Sequence, residues 1–323
     1  MKRLTYQEAC VEGIAEEMRR DESVFVLGND IGAFGGALMS HKGLWQEFGD
    51  TGRIVETPIS ECAMVGACTG AAMQGMRPVV QIMFGEFLPA VTQPLVEAAV
   101  MWYYSAGKTR VPLVLRMLYG IGPHRGHEID LHSWLTHIPG LKVVMPATPY
   151  DAKGLMKAAI RDNNPVAFFE HMNLYHGSRQ EIPEADYTIP LGIADIKCAG
   201  KDVTVVAIAM MVPYALEAAE ELSREGIEVE VIDLRTVAPL DVETILTSVR
   251  KTGRLVITHE TWKTGGSGAE IAATVTERAF ADLKAPIIRV APPHIPIPYS
   301  EPLNKLYLPK KVEIIQGIRE VLK

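Results

Sequence analysis

IVETPISECAMVGACTGAAMQGMRPVVQIM, residues 54–83, reads as a strand, a helix and a second strand. A strand near Ile54 runs into Thr57 and Pro58, a helix follows over 61–73, and PVVQIM at 78–83 is apolar and β-branched enough for a buried strand. Strands joined through a helix lie parallel, and a parallel sheet needs cover on both faces. The fold class is therefore α/β.

The alternation extends in both directions. Thr5 and Glu8 form a capping-box pattern before a helix running to about Arg20, and the strand VFVLG follows. Beyond residue 83 come a long helix to about Tyr104, the strand PLVLR, a loop rich in Gly and His, the strand KVVMP, a helix over 149–162 behind Thr148, and the strand VAFFE. From about His171 to Lys201 periodicity fades while charge and proline rise, as in a linker. A second series opens at DVTVVAIA and continues through a helix over 213–225, VEVIDL, a helix over 241–251, RLVITH, a helix after GGSG, and PIIRV. The expectation is two domains, residues 1–185 and 199–323 around a linker at 186–198, each a mostly parallel sheet with helices on both faces. The proline-rich APPHIPIPYSEP is expected to cross the surface without regular structure.

Composition narrows the function. A 323-residue chain with 48 % hydrophobic residues has ample core for two domains. Net charge is −7 with Lys and Arg scattered, so no basic stripe awaits a phosphate backbone and nucleic acid is not an expected partner. The start MKRLTYQEACVEGIAEEMRRD has no apolar signal core, and Glu86 breaks the apolar run PVVQIMFGEFLPAV short of a membrane span. A cytoplasmic protein is expected. Cys10, Cys62, Cys68 and Cys198 form no CxxC pair and read as reduced, buried thiols.

Within the quoted stretch, Ala63, Ala67 and Ala71 recur at spacing four, with Gly66 and Gly70 beside them. Each helical glycine costs roughly 1 kcal/mol, so a close-packed helix or a bound ligand must compensate. Glu61 enters this run alone. With Ser60 as the cap, the acid is left to face a cleft at the carboxyl end of the Ile54 strand, where ligands of parallel sheets bind. A carboxyl group among apolar neighbours is poorly solvated, and its hydrogen bond to a ligand nitrogen becomes strong. The alternative is a solvated first-turn glutamate favoured by the helix dipole.

TPISE, with FGDTGRIV before it and GAAMQGMRPVVQIMFGEF after it, resembles the β chain of the thiamine diphosphate-dependent 2-oxo acid dehydrogenases, the decarboxylase component of the pyruvate, branched-chain and acetoin complexes. The likeness covers nearly the whole chain and includes LTYQEA, VPLVLR, HIPGLKVVMP, EGIEVEVIDLRTVAPLD, HETWKTGGSGAEI and PIPYSEPL in order. It implies a transketolase-like pyrimidine-binding domain followed by a transketolase-type carboxyl-terminal domain. It also implies that Glu61 hydrogen-bonds the aminopyrimidine and activates the cofactor, that Ile59, Met83 and Phe87 line that ring's pocket, and that His127 handles substrate and the acyl transfer to lipoyl. As plain sequence, without the resemblance, those three pocket residues read as core. A structural potassium ion on carbonyls of Leu113, Ala159, Asp162 and Asn164 belongs to the same resemblance.

The loop GIGPHRGHEIDLHSWLTH holds four histidines, but His127, His132 and His137 lie five apart and drift around a helix, unlike the HExxH spacing of a zinc site. His124 is near enough to exchange with His127 in the resemblance. Asn29, Gln81, Pro94 and Glu128-Ile129 depart from the family's usual residues, leaving the 2-oxo acid open. No GDG occurs, so the diphosphate and its Mg2+ are expected on a separate α chain, in a heterotetramer of two α and two β chains. KTGGSGAE can receive an anion at a helix start but lacks the third glycine of a dinucleotide fingerprint. The resemblance gives this half to subunit contacts and to docking the lipoyl acyltransferase. A split transketolase subunit and a noncatalytic scaffold are the competing readings.

Overall fold

The computed structural model describes residues 1–122 and 125–323. In the first half, β1 (Lys2–Leu4) leads into α1 (Tyr6–Arg20), and then come β2 (Val24–Gly28), α2 (Leu44–Phe48), β3 (Ile54–Glu56), α3 (Glu61–Met73), β4 (Arg77–Phe84), α4 (Leu88–Tyr104), β5 (Val114–Tyr119), α5 (His132–Thr136), β6 (Lys142–Val144), α6 (Pro149–Arg161) and β7 (Val166–His171). The capping box is present: Thr5 Oγ1 accepts from the Glu8 amide, and the Glu8 carboxylate accepts from the Thr5 amide. The second half runs β8 (Gln180–Ile182), β9 (Asp195–Cys198), β10 (Val203–Ala207), α7 (Met211–Ser223), β11 (Val229–Asp233), β12 (Thr236–Ala238), α8 (Val242–Thr252), β13 (Leu255–Thr258), α9 (Ser267–Ala279), β14 (Ile288–Val290), α10 (Glu301–Tyr307) and α11 (Lys311–Val321).

The principal sheet has seven strands in the order β12-β6-β7-β5-β4-β2-β3, parallel except for β12. Its residues alternate between two cores: Leu27, Val80, Leu115 and Ala167 face one, while Val26, Val79, Val114 and Val166 face the other. The first core also contains Val206, Ile232 and Ile257 of the second sheet, whose order is β14-β13-β10-β11-β9. The halves are thus joined through apolar packing.

Besides the unexpected helices α2, α5, α10 and α11, three features of the strands and cysteines differ from the sequence expectation. The stretch read as a linker contains β8, which pairs with β1, and β9, which runs antiparallel to β11; both are too short and too polar to show a strand period. β12 leaves the second half and adds to the edge of the first sheet against β6. Only Cys10 and Cys68 are buried; Cys62 is exposed and Cys198 half-buried, because the helix face carrying Cys62 is uncovered. Among the described residues no helix is long and apolar enough to cross a membrane.

A buried ion pair fixes the loop that follows β2. Arg116, on β5, pairs with Glu170 on β7, both fully buried, and its Nη1 donates to the Ser40 carbonyl at 2.8 Å. Tyr175 donates its hydroxyl to Glu170 at 2.6 Å. His41 lies 3.2 Å from Arg116 Nη1, and burial together with that guanidinium pushes its pKa well below the usual histidine range.

His259, after β13, is a second buried neutral imidazole. Burial, reinforced by His132, pushes its pKa down to about 4. Its unfolded counterpart titrates near 6.5, so between these values unfolding takes up a proton and stability falls as the pH falls. The effect from His259 alone is about 3 kcal/mol. Asp233, raised by burial to about 7, acts oppositely, favouring the fold at the acid end of the same range. Denaturant unfolding at pH 7 and pH 5 is therefore expected to show a smaller acid loss for His259→Gln than for the parent chain.

Candidate functional site

Because β2, β3 and β4 are parallel, their carboxyl ends share one edge of the sheet. Val26 lies level with Ile54 on one side and Val79 on the other, so Glu56, Gly28 and Gln81 align there. The β3–α3 connection brings Ile59 and Glu61 to this edge, the end of β4 carries Met83, and the turn after it brings Glu86 and Phe87. Asn29 Nδ2 donates to the Thr57 carbonyl at 2.9 Å and ties the loops after β2 and β3 together.

Glu61 is the first residue of α3 and half-buried. Among the described residues nothing hydrogen-bonds or ion-pairs with it. Ser60 occupies the N-cap but makes no cap hydrogen bond, contrary to expectation, because its backbone (φ −166°, ψ 70°) departs from the usual cap conformation. The carboxylate is therefore uncommitted, at the positive end of a helix. Ile59 is 75 % exposed. Along α3, Met64, Val65, Cys68 and Ala72 enter the core, whereas Ala63, Gly66, Ala67 and Gly70 face outward. A Cβ built on Gly66 or Gly70 would meet nothing within 4 Å. The small-residue face is thus bare in the single chain, and the enclosure expected around Glu61 is not supplied by this polypeptide alone.

His127 lies beside this edge. Its ring stacks on Phe84 with centroids 4.4 Å apart and meets Phe87 edge-on at 5.8 Å. Nδ1 pairs with Glu86 Oε1. With that nitrogen's proton directed at the carboxylate, Nε2 is the position left to accept or hold a proton. Sequence reading treated Glu86 only as an interruption of an apolar run; a lone acid in the turn after a buried strand was the available signal. His124 lies outside the described residues. Met83 and Phe87 are half-buried at the edge of the core behind the site.

Next to His127, Gly126, Glu128, Ile129, Trp262, Ile295 and Tyr299 line an apolar pocket of about 440 Å³. Burial raises the Glu128 pKa, and its carboxylate accepts from Asn304 Nδ2 at 3.3 Å.

The carbonyls of Leu113, Ala159, Asp162 and Asn164 lie around the end of α6 and the start of β5. The Leu113 carbonyl accepts from Val166 N at 2.8 Å, and Arg77 Nη1 donates to the carbonyls of Ile160 and Asp162, each at 2.9 Å. Lys142 pairs with the Asp162 carboxylate. Positive charge thus already gathers at this helix end, as the dipole favours. Among the described residues no group of three or more His, Cys, Asp or Glu side chains is placed to hold a metal ion.

The fold and this edge define an α/β protein of the transketolase type. The description "Transketolase, pyrimidine binding domain" matches residues 2–177, and "Transketolase, C-terminal domain" matches 192–314. The chain belongs to the family formed by the β chains of 2-oxo acid and acetoin dehydrogenase components. It is 44 % identical to the 2-oxoisovalerate dehydrogenase subunit beta of Bacillus subtilis, over 97 % of each chain. It is 45 % identical to the acetoin:2,6-dichlorophenolindophenol oxidoreductase subunit beta of Cupriavidus necator, over 100 % of this chain and 98 % of that one. Identity to the Bacillus subtilis pyruvate dehydrogenase E1 component subunit beta is 41 %, over 100 % and 99 %. A split gene transketolase in an inactive beta4 tetramer shares the fold, with a TM-score of 0.82 at 22 % identity over 99 % of this chain and 98 % of that one.

Proposed function

We propose that this chain is the β subunit of a thiamine diphosphate-dependent enzyme that decarboxylates a 2-oxo acid or cleaves acetoin and passes the acyl group to a lipoyl acyltransferase. One observation carries the reading: an uncommitted carboxylate, Glu61, stands at the carboxyl edge of a parallel sheet beside a helix face that its own chain leaves bare. The residues suit the cofactor's pyrimidine end. Glu61 offers an acceptor, Ile59, Met83 and Phe87 offer apolar and aromatic surface, and a half-open edge leaves room for a second polypeptide.

Thiamine diphosphate, when bound, supplies the electron sink for decarboxylation. Glu61 would hold the pyrimidine ring nitrogen and share a proton with it. Glu86 holds His127 through Nδ1 and Phe84 keeps the imidazole flat against the core, so that Nε2 would be the nitrogen free to exchange a proton with the substrate. The diphosphate and Mg2+ belong to an α chain in a two-α, two-β assembly working in the cytoplasm, and residues 1–185 form the pyrimidine-binding unit. In this reading 186–198 is the connection, and 199–323 makes subunit contacts and docks the acyltransferase. A potassium ion would share the Asp162 carbonyl with Arg77 and draw on Leu113, Ala159 and Asn164.

The test is reconstitution with the candidate α chain, followed by a screen of 2-oxo acids and acetoin for thiamine-dependent reduction of an artificial acceptor. Acceptor reduction with one of these supports the reading; sugar-phosphate transfer alone replaces it with a split transketolase. The bare helix face gives a separate prediction. Gly66→Ala and Gly70→Ala meet no clash in the single chain and are each expected to stabilise it by about 1 kcal/mol. The same substitutions are expected to weaken assembly, read by sedimentation, since the added methyl groups hold a packed backbone away.

A further inference from the structure

A second constellation lies between the halves. Asp130, His132 and Ser267 form a hydrogen-bonded chain: Asp130 Oδ1 to His132 Nδ1 is 2.6 Å, and His132 Nε2 to Ser267 Oγ is 2.6 Å. All three residues are at least nine-tenths buried, at 5 %, 0 % and 5 % exposure. Asp130 and His132 come from the loop before α5 and its first residue, whereas Ser267 opens α9. Ser267 also lines a pocket of about 530 Å³ whose walls include Val237, Leu240, Ile271 and, as a carboxylate, Glu270.

These atoms have the connectivity of a hydroxyl nucleophile, an imidazole base and an orienting acid. Asp130 accepts from His132 Nδ1–H and so fixes the tautomer in which Nε2 receives the Ser267 proton. Ser267 stands at a helix start, where the helix dipole favours negative charge; its amide donates to Ser133 Oγ at 3.1 Å, and that hydroxyl also lies 3.1 Å from Ser267 Oγ. The backbone is held close there: a Cβ on Gly268 would lie 2.5 Å from His259 Nε2, a fully buried atom with no hydrogen-bond partner.

We propose that Ser267, His132 and Asp130 form an esterase site that takes small uncharged carboxylic esters or thioesters with apolar acyl groups. The apolar walls suit such an acyl chain, and Glu270 disfavours anionic ones. Ser267 Oγ bonds to the acyl carbon as its proton passes to His132 Nε2, the bond to the leaving alkoxide or thiolate breaks, and that group departs with the His132 proton. Water then attacks the acyl-serine, gives a proton to His132, and the acid leaves as Ser267 regains its hydrogen.

The experiment uses the full chain with a fluorophosphonate probe and p-nitrophenyl butyrate. The expected result is a probe adduct mapped to Ser267 and hydrolysis that falls to the buffer rate in Ser267→Ala, with a loss of at least about 100-fold in His132→Gln. Circular dichroism confirms folding of each variant. Should Ser267→Ala fail to fold, Ser267→Cys keeps the shape and is expected to move labelling from the fluorophosphonate to iodoacetamide. No adduct on the folded parent chain, an adduct on another residue, or hydrolysis unchanged in a folded Ser267 variant overturns the proposal and leaves the chain of hydrogen bonds as a tie between the halves.

Discussion

The Glu61→Gln enzyme, assembled with its α chain, is expected to lose about 100- to 1000-fold in kcat while KM changes only a few-fold. Glutamine keeps the length and one hydrogen bond but cannot share a proton with the cofactor ring. The loss is expected in catalysis rather than folding. Glu61 is half-buried and makes no ion pair among the described residues, so its replacement costs the chain only the helix-end charge, roughly 0.3–1 kcal/mol. Steady-state kinetics with unchanged thermal unfolding would show this division. Equal turnover in the variant would remove Glu61 from the reaction and favour a noncatalytic scaffold.

The largest stability effect is expected at Arg116. Its replacement by methionine leaves the Glu170 carboxylate buried without its cation and releases the Ser40 carbonyl and His41. Breaking a buried pair from one side costs about 3–5 kcal/mol, a large part of a typical fold's margin. Burial opposes the charge of Arg116, yet Glu170 outweighs it and raises the guanidinium pKa, which marks the pair as mutually dependent. Denaturant unfolding should recover part of the loss in Arg116→Met with Glu170→Gln, where the orphaned charge is gone. If Arg116→Met unfolds like the parent chain, the loop after β2 is not anchored through this pair.

Much of this architecture was legible in the residues. The helix over Glu61–Met73 and the capping box at Thr5 were read with their boundaries, because cap chemistry and the switch from strand to helix are local signals. β8, β9 and β12 were not, since each is three or four residues long and is set by a partner strand distant in sequence. The same division holds at the site. Glu61 was singled out by its isolation in an apolar run, and His127 by resemblance. The Glu86–His127 pair joins residues 41 positions apart through the packing of Phe84 and Phe87, and spacing carries no trace of it. Ser267 with His132, 135 positions apart, is legible only in three dimensions.

The strand Thr236–Ala238 has a consequence for biosynthesis. As the polypeptide emerges from the ribosome, the outer edge of Lys142–Val144 stays unpaired until the segment ending at residue 238 is available. An open edge of this kind invites intermolecular pairing. Truncation near residue 185 should therefore yield an aggregation-prone fragment, and the nascent protein reaches a protected state only when synthesis is well past its midpoint.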